Sequence, residues 1–122
     1  MIPKDQSSIK MKIYHNPRCS KSRQTLALLQ ENGIEPDVVL YLDNIMTANE
    51  LRKLLAKLGI SPIQLVRKGE VVWKEKYKGK ELSDDQVIQA MIANPKLIER
   101  PIVVKDKLAV LGRPPENVLE LI

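Results

Sequence analysis

Residues 11–33 read MKIYHNPRCSKSRQTLALLQENG, and this stretch predicts a short β-strand, a loop and a helix in direct succession. Met11–Tyr14 is the strand, an Asn-Pro pair marks the loop, and the helix is expected from about Ser20 to Asn32. Gly33 follows in the position where a left-handed residue commonly ends a helix. The single cysteine of the chain, Cys19, therefore lies at the junction between strand and helix.

Cys19 is expected to be a nucleophile. A thiol at the first turn of a helix is stabilised as the thiolate by the unpaired N–H groups there, and nearby cations act in the same direction. A lone cysteine is more often a small buried hydrophobic residue. Here, however, no large apolar residue lies within four positions of Cys19, whereas one His, two Arg and one Lys do. The surroundings therefore favour the reactive interpretation.

Length and composition predict one globular domain. The 122 residues are near the commonest domain size, and 43% hydrophobic with 29% charged residues is typical of globular proteins. Residues 1–10 are polar and lack periodicity, so we expect a disordered N-terminal extension or a cloning remnant, followed by a single domain over residues 11–122. The sequence has no secretory signal or membrane-spanning run, and one cysteine forms no internal disulfide. A reducing cytoplasm is therefore expected.

The charge pattern limits the expected partners. The net charge is +5, but the basic residues are spread along the chain and interleaved with acidic ones. Aromatic residues are scarce, with three Tyr, one Trp and no Phe, so the stacking platforms of single-strand binders are not expected. We expect a small anionic substrate, no nucleic acid, no membrane association and a monomer.

The middle of the chain predicts one strand and then helices. Val38–Leu42 is a continuous apolar run, which is typical of a strand covered on both faces. Capping boxes at Thr47 with Glu50 and at Ser83 with Gln86 predict two helix starts. Gly59 is expected to end the first of these helices, and Ser61-Pro62 to open a short helix that leads to Arg67-Lys68. Pro95 is expected to end the helix that begins at Ser83. The residues of that helix expected to face inward are Val87, Ile88, Met91 and Ile92.

The C-terminal third predicts a hairpin and a closing helix. Ile102–Val104 and Leu108–Leu111 are β-prone runs joined by the three-residue turn Lys105-Asp106-Lys107. The closing helix begins at Pro114 or Pro115, with Val118, Leu119 and Ile122 expected on one face. The resulting order, βαβ, helices, ββα, predicts an α/β protein with a thioredoxin-like fold, a mixed sheet and a helical insertion.

The motif around the thiol is C-x-x-S, from Cys19 to Ser22, which lacks the second sulfur of dithiol redox proteins. Turnover through Cys19 would therefore need an external thiol. The N–H groups of residues 20–23 would cradle an oxyanion, and arginine side chains would complete such a site with bidentate hydrogen bonds.

The sequence resembles the glutaredoxin-dependent arsenate reductases of the ArsC type. The resemblance extends over about residues 11–122, and five segments in family order carry it: Tyr14–Leu26, Val39–Leu42, Leu65–Lys68, Asn94–Val104 and Gly112–Pro114.

This resemblance implies an enzyme that reduces arsenate to arsenite through a covalent adduct on cysteine. Glutathione would be the co-substrate and glutaredoxin the protein partner, with no metal and no bound organic cofactor. The residues implied for the site are Cys19 as nucleophile, His15 beside it to favour ionisation, Arg67, Arg100 and Arg113 with Ser22 for substrate binding, and Pro101 as a cis-proline.

Two alternatives remain open. The same thiolate would serve a glutathione-dependent thiol reductase acting on another oxyanion or on a mixed disulfide. The resemblance also extends to the Spx-type regulators, which are non-catalytic modules that bind RNA polymerase. Those regulators often carry C-x-x-C, whereas this chain has Ser22 at the second position.

Overall fold

The computed structural model describes residues 11–122, so the predicted N-terminal extension lies outside the described residues. Within that range the strands form one mixed sheet in the order β2-β1-β3-β4, in which β1 is parallel to β2 and antiparallel to β3, and β3 is antiparallel to β4. The strands are β1 Met11–Tyr14, β2 Asp37–Val39, β3 Ile102–Lys105 and β4 Leu108–Leu111.

The helices are of two kinds. The α-helices are α1 Ser20–Glu31, α2 Ala48–Leu58, α3 Val71–Lys76 and α4 Asp84–Ala93. The 3₁₀ helices are Pro62–Leu65, Pro95–Leu97 and the C-terminal Pro115–Leu121. From residue 11 to residue 122, no helix is long and apolar enough to cross a membrane.

The described chain divides into two compact units. The first unit comprises residues 11–40 and 100–122, which hold the sheet, α1 and the C-terminal 3₁₀ helix. The second unit comprises Tyr41–Glu99, which holds the remaining helices. The predicted order of a βαβ segment, a helical segment and a β-hairpin with a closing helix is confirmed, while α3 and the 3₁₀ helix Pro95–Leu97 were not predicted.

The core of the first unit joins the central strands to α1 and to the C-terminal 3₁₀ helix. Strand β1 lies inside the sheet, so buried and exposed side chains do not alternate strictly along it, and three of its four residues are buried. Helix α1 ends as predicted, since Gly33 adopts φ 78° and its N–H, with that of Ile34, returns to the carbonyls of Gln30 and Leu29. The core residues are Met11, Ile13, Leu29, Val103, Val118 and Leu121.

The prediction for β2 was wrong in length and in burial. The strand spans Asp37–Val39 instead of Val38–Leu42, and Val38 is 46% exposed while Leu42 is 37% exposed. The reason is position, because β2 is an edge strand whose one neighbour is β1. An apolar run indicates a preference for burial, but it does not indicate where in the sheet the strand lies.

The C-terminal predictions needed two corrections. Lys105 belongs to β3 and pairs with Leu108, so the hairpin turn has two residues and begins with Asp106 at φ 55°. The closing helix is 3₁₀, and with three residues per turn it buries every third residue. Pro115, Val118 and Leu121 therefore face inward, whereas the predicted Leu119 and Ile122 are exposed.

The second unit follows its helix signals closely. Both predicted capping boxes, at Thr47 and at Ser83, are present. Helix α4 buries Val87, Ile88 and Met91 as expected, while Ile92 is half-buried. Helix α3 was missed because it has six residues and no side-chain cap. Predicting such a helix requires knowing that Trp73 is buried.

The C-terminal helix provides a matched test of the packing. We expect Leu121→Ala to lower the free energy of unfolding by about 2 to 5 kcal/mol, because Leu121 is 4% exposed and belongs to the core. The same change at Leu119, which is 44% exposed, should have an effect of about 0.5 kcal/mol. Urea unfolding of both variants measures the difference. Equal losses would contradict the 3₁₀ assignment.

Candidate active site

The candidate site begins where β1 ends and α1 starts. Cys19 is the N-cap residue of α1, with an extended backbone, and its side chain makes no capping hydrogen bond. The Cys19 N–H donates to the carbonyl oxygen of Asn16 at 3.0 Å, and the Cys19 carbonyl accepts from Arg23 at 3.0 Å. This turn leaves a partly exposed thiol at the start of the helix.

Several groups act on the Cys19 thiol, and together they lower its pKa. Burial is the largest influence and raises the pKa, since it disfavours the charged sulfur. The N–H of Ser22, the charge of Arg100, the N–H of Lys21 and a hydrogen bond from Arg100 all lower it and outweigh burial. The helix terminus therefore favours the thiolate as predicted, and Arg100 adds the cation.

The His15 ring contacts the Ser22 hydroxyl, and its role beside the thiol stays a prediction. Its Nδ1 lies 2.6 Å from Oγ of Ser22, and both residues are buried. Burial, followed by the charge of Arg23, lowers the pKa of His15, so the ring is neutral near pH 7. A neutral ring does not stabilise the thiolate through charge. The contact that the ring makes is with the hydroxyl of Ser22.

Ser22 contributes two groups to the site, its backbone N–H and its side-chain hydroxyl. The hydroxyl is fully buried, and its oxygen accepts from the Asn16 N–H at 3.0 Å and contacts the His15 ring. The proton of the hydroxyl is then available to Nδ1 of His15, which favours the ring tautomer with its proton on Nε2. For an anion near Cys19, Ser22 therefore offers its N–H and not its hydroxyl.

Two of the predicted arginines lie in the same unit as Cys19. Arg113 donates from Nη1 to the carbonyl oxygen of Arg100 at 3.3 Å. Nε of Arg100 is buried, and it has no hydrogen-bond partner among the residues that the structure describes. A buried guanidinium N–H without an acceptor is costly, so this donor indicates a place for an anionic ligand. The Arg100–Pro101 peptide bond is cis, the isomer that the resemblance implied, and Arg113–Pro114 is also cis.

Sequence reasoning missed a close contact that fixes the segment before Arg113. A Cβ at Gly112 would lie 2.6 Å from Oγ1 of Thr25 and 2.9 Å from Cγ of Pro101. Oγ1 of Thr25 lies 2.8 Å from the carbonyl oxygen of Lys21 and 3.2 Å from that of Gly112, and its single proton is shared between these two acceptors. The glycine in the Gly-Arg-Pro segment was the one available signal, and nothing in the sequence indicates that it faces Thr25.

The third predicted arginine, Arg67, lies in the second unit. Its Nη1 is 3.4 Å from Oε2 of Glu70, and its Nε is 3.4 Å from Oε1 of Glu99. Its side chain is 25% exposed. The role of Arg67 in binding substrate stays a prediction.

The fold and the site define a class, and the comparisons with known proteins agree. A mixed sheet whose first strand leads to a thiol at a helix N-terminus is a thioredoxin-like arrangement. The chain belongs to the ArsC family, since the family model matches residues 14–121.

Relatives of known name cover nearly the whole chain. The uncharacterized protein YfgD of Escherichia coli K12 is 56% identical over 92% of this chain and 96% of that protein. An arsenate reductase of Haemophilus influenzae is 45% identical over 90% of this chain and 97% of its own. The solved structure of the arsenate reductase from Vibrio cholerae has a TM-score of 0.90 and 48% identity, and the match covers 93% of this chain and 98% of that one.

The role of Arg100 in stabilising the thiolate can be tested directly. Arg100→Ala should raise the pKa of Cys19, because it removes both a nearby positive charge and a hydrogen-bond donor. The matched control is Arg18→Ala, which removes an exposed arginine next to Cys19 in the sequence and should leave the pKa nearly unchanged. Thiolate absorbance measured against pH gives both values. Equal shifts would contradict the assignment to Arg100.

The neutral state of His15 has its own signature. It is the single histidine of the chain, so its ring signals in proton NMR should titrate below 6.5, its ordinary pKa. Because the folded-state pKa is lowered, the unfolded chain binds more protons, and the free energy of unfolding should fall as the pH drops through about 6.5. His15→Asn should reduce that fall. A midpoint above 6.5 would contradict the buried neutral ring.

Proposed function

We propose that this chain is an arsenate reductase, an oxidoreductase that uses Cys19 as its nucleophile. The observation that carries the proposal is the pairing of a partly exposed thiol of lowered pKa with a buried Nε of Arg100 that has no acceptor within the described chain. Relatives named arsenate reductase, at 45% and 48% identity over nearly the whole chain, support the choice of substrate.

In the first step the Cys19 thiolate attacks the arsenic atom, forming an S–As bond while an As–O bond breaks and the oxygen leaves as water after protonation. The remaining oxygens accept hydrogen bonds from the N–H groups at the start of α1 and from Arg100 and Arg113, with Arg67 as a third proposed ligand. Arginine suits this role because its planar fork matches two oxygens at once.

The reduction needs two electrons, which come from thiols outside the chain. Residue 22 is a serine and Cys19 is the single cysteine, so the adduct does not close into an internal disulfide. We propose that glutathione forms a second S–As bond while another oxygen leaves as water. The glutaredoxin thiol then attacks the glutathione sulfur, so that this S–As bond breaks, its electron pair stays on arsenic and arsenic is reduced; water finally cleaves the bond between Cys19 and arsenic. Arsenite leaves, Cys19 returns as the thiol, and the two external thiols end as a disulfide. No resident metal or organic cofactor takes part, and a reducing cytoplasm would supply the thiols.

The decisive experiment is arsenate-dependent oxidation of NADPH, coupled through glutathione reductase, glutathione and glutaredoxin. Cys19→Ser should abolish turnover, and Arg100→Lys should lower kcat/KM by about tenfold or more, since an ammonium does not reproduce the bidentate fork. Arg52→Ala is the matched control, because this exposed arginine pairs with Asp85 and should leave the rate unchanged.

The other outcomes separate the alternatives. Turnover that needs glutathione but does not respond to arsenate would replace the proposal by a thiol reductase of another substrate. No turnover, together with co-purification with RNA polymerase, would replace it by an interaction module. Repeated turnover without any added thiol would contradict the monothiol mechanism, since Ser22 offers no second sulfur.

A further inference from the structure

Arg67 is held between two carboxylates, and the backbone of the second unit fixes this arrangement. Val66 and Ile98 form an isolated antiparallel bridge. On either side of it the Arg67 N–H donates to the Leu97 carbonyl at 2.7 Å, and the Glu99 N–H donates to the Leu65 carbonyl at 2.8 Å. In such a pair Arg67 and Glu99 are diagonal neighbours, which long side chains easily span.

Glu70 reaches the same guanidinium from the other direction. Its N–H donates to the Arg67 carbonyl at 3.2 Å, which forms a turn, and Glu70 then serves as the N-cap residue of α3. The turn places its carboxylate within 3.4 Å of Nη1 of Arg67. All three side chains are between 25% and 29% exposed, so water screens these ion pairs less than it screens pairs at a fully exposed surface.

The two carboxylates lie against the parts of the Arg67 guanidinium that would bind an anion. Arginine has two bidentate forks, one made by Nε with Nη2 and one by Nη1 with Nη2. Oε1 of Glu99 lies 3.4 Å from Nε in the first fork and Oε2 of Glu70 lies 3.4 Å from Nη1 in the second, in both cases as an ion pair. An oxyanion that approaches either fork therefore meets a carboxylate, which it must move aside before two of its oxygens can bind. The group as a whole, one guanidinium and two carboxylates, has a formal charge of −1.

We propose that Glu70 and Glu99 are determinants of oxyanion affinity, which compete with the substrate for Arg67 and favour singly charged oxyanions over doubly charged ones. This inference rests on the proposed function, in which Arg67 is an oxyanion ligand. The two carboxylates lower the charge that Arg67 offers, and a dianion is repelled more strongly than a monoanion. They act through Arg67 and have no chemical step of their own.

Calorimetric titration of the full chain with inorganic phosphate tests the proposal without arsenate or thiols. We expect Glu99→Gln and Glu70→Gln each to strengthen phosphate binding about two- to fivefold, the range expected for losing one ion pair that competes for Arg67. Asp85→Asn is the matched control, since it removes a carboxylate from the 3.3 Å pair with Arg52 and should leave phosphate affinity unchanged. In the Arg67→Ala background the gain from either glutamate substitution should be clearly smaller, because only relief of direct repulsion remains.

Anion charge provides the second readout. Sulfate and perchlorate are both tetrahedral, but sulfate is a dianion and perchlorate a monoanion, so the double glutamate variant should gain more affinity for sulfate. In the coupled assay the same variant should show a lower KM for arsenate with kcat little changed, which is the pattern of altered ground-state binding. Thermal melting checks that each variant is folded. If Glu99→Gln does not fold, Glu70→Gln alone tests the proposal, because Glu70 lies outside the backbone bridge.

Unchanged or weaker phosphate binding in folded glutamate variants would overturn the proposal, and so would a gain of undiminished size in the Arg67→Ala background. These results are distinct from failure of the proposed function. If phosphate binding responds as expected but arsenate is not reduced, the competition stands and the proposed reaction fails. If arsenate is reduced but phosphate affinity does not respond, the competition alone is wrong.

Discussion

The site depends on the unpaired backbone N–H groups at the start of α1. A helix leaves its first N–H groups without carbonyl partners, and they carry a partial positive charge. In this chain the N-cap residue is a cysteine whose side chain forms no cap, so two of these groups, from Lys21 and Ser22, act on its sulfur. Ser22 and Thr25 make side-chain contacts in and near this turn, and Arg100 adds a cation next to it.

The turn is supported by one local contact and by groups from distant parts of the chain. The buried Ser22 hydroxyl joins the Asn16 N–H to the His15 ring and so closes the loop between β1 and α1. Thr25, one turn further along, contacts Gly112, which precedes Arg113 in the sequence. Arg100 comes from the segment before β3. The reactive turn is therefore local in sequence, while the cations and contacts around it are brought together by the sheet.

The difference between local and distant contacts explains what could be predicted from the sequence. The strand, the turn and the helix around Cys19 follow from local signals, and so do the capping boxes at Thr47 and Ser83. The edge position of β2 and the face of the C-terminal 3₁₀ helix depend on neighbours far along the chain, and local periodicity does not encode them. Arg100 was found through the family resemblance, because spacing does not distinguish it from other arginines. The contact between Gly112 and Thr25 was missed because no local pattern indicates that these two residues meet.

The hydroxyl of Ser22 also bears on how this chain could change during evolution. A single substitution, Ser22→Cys, would produce the C-x-x-C motif of dithiol redox proteins. The new sulfur, however, would lie at a fully buried position where the Asn16 N–H needs an acceptor and Nδ1 of His15 needs a donor. A thiol is a weak donor and a weak acceptor, so both groups would lose much of their hydrogen bonding. The two-thiol form of this chain would therefore be less stable than the one-thiol form, because the second sulfur replaces a hydroxyl that two neighbouring groups use.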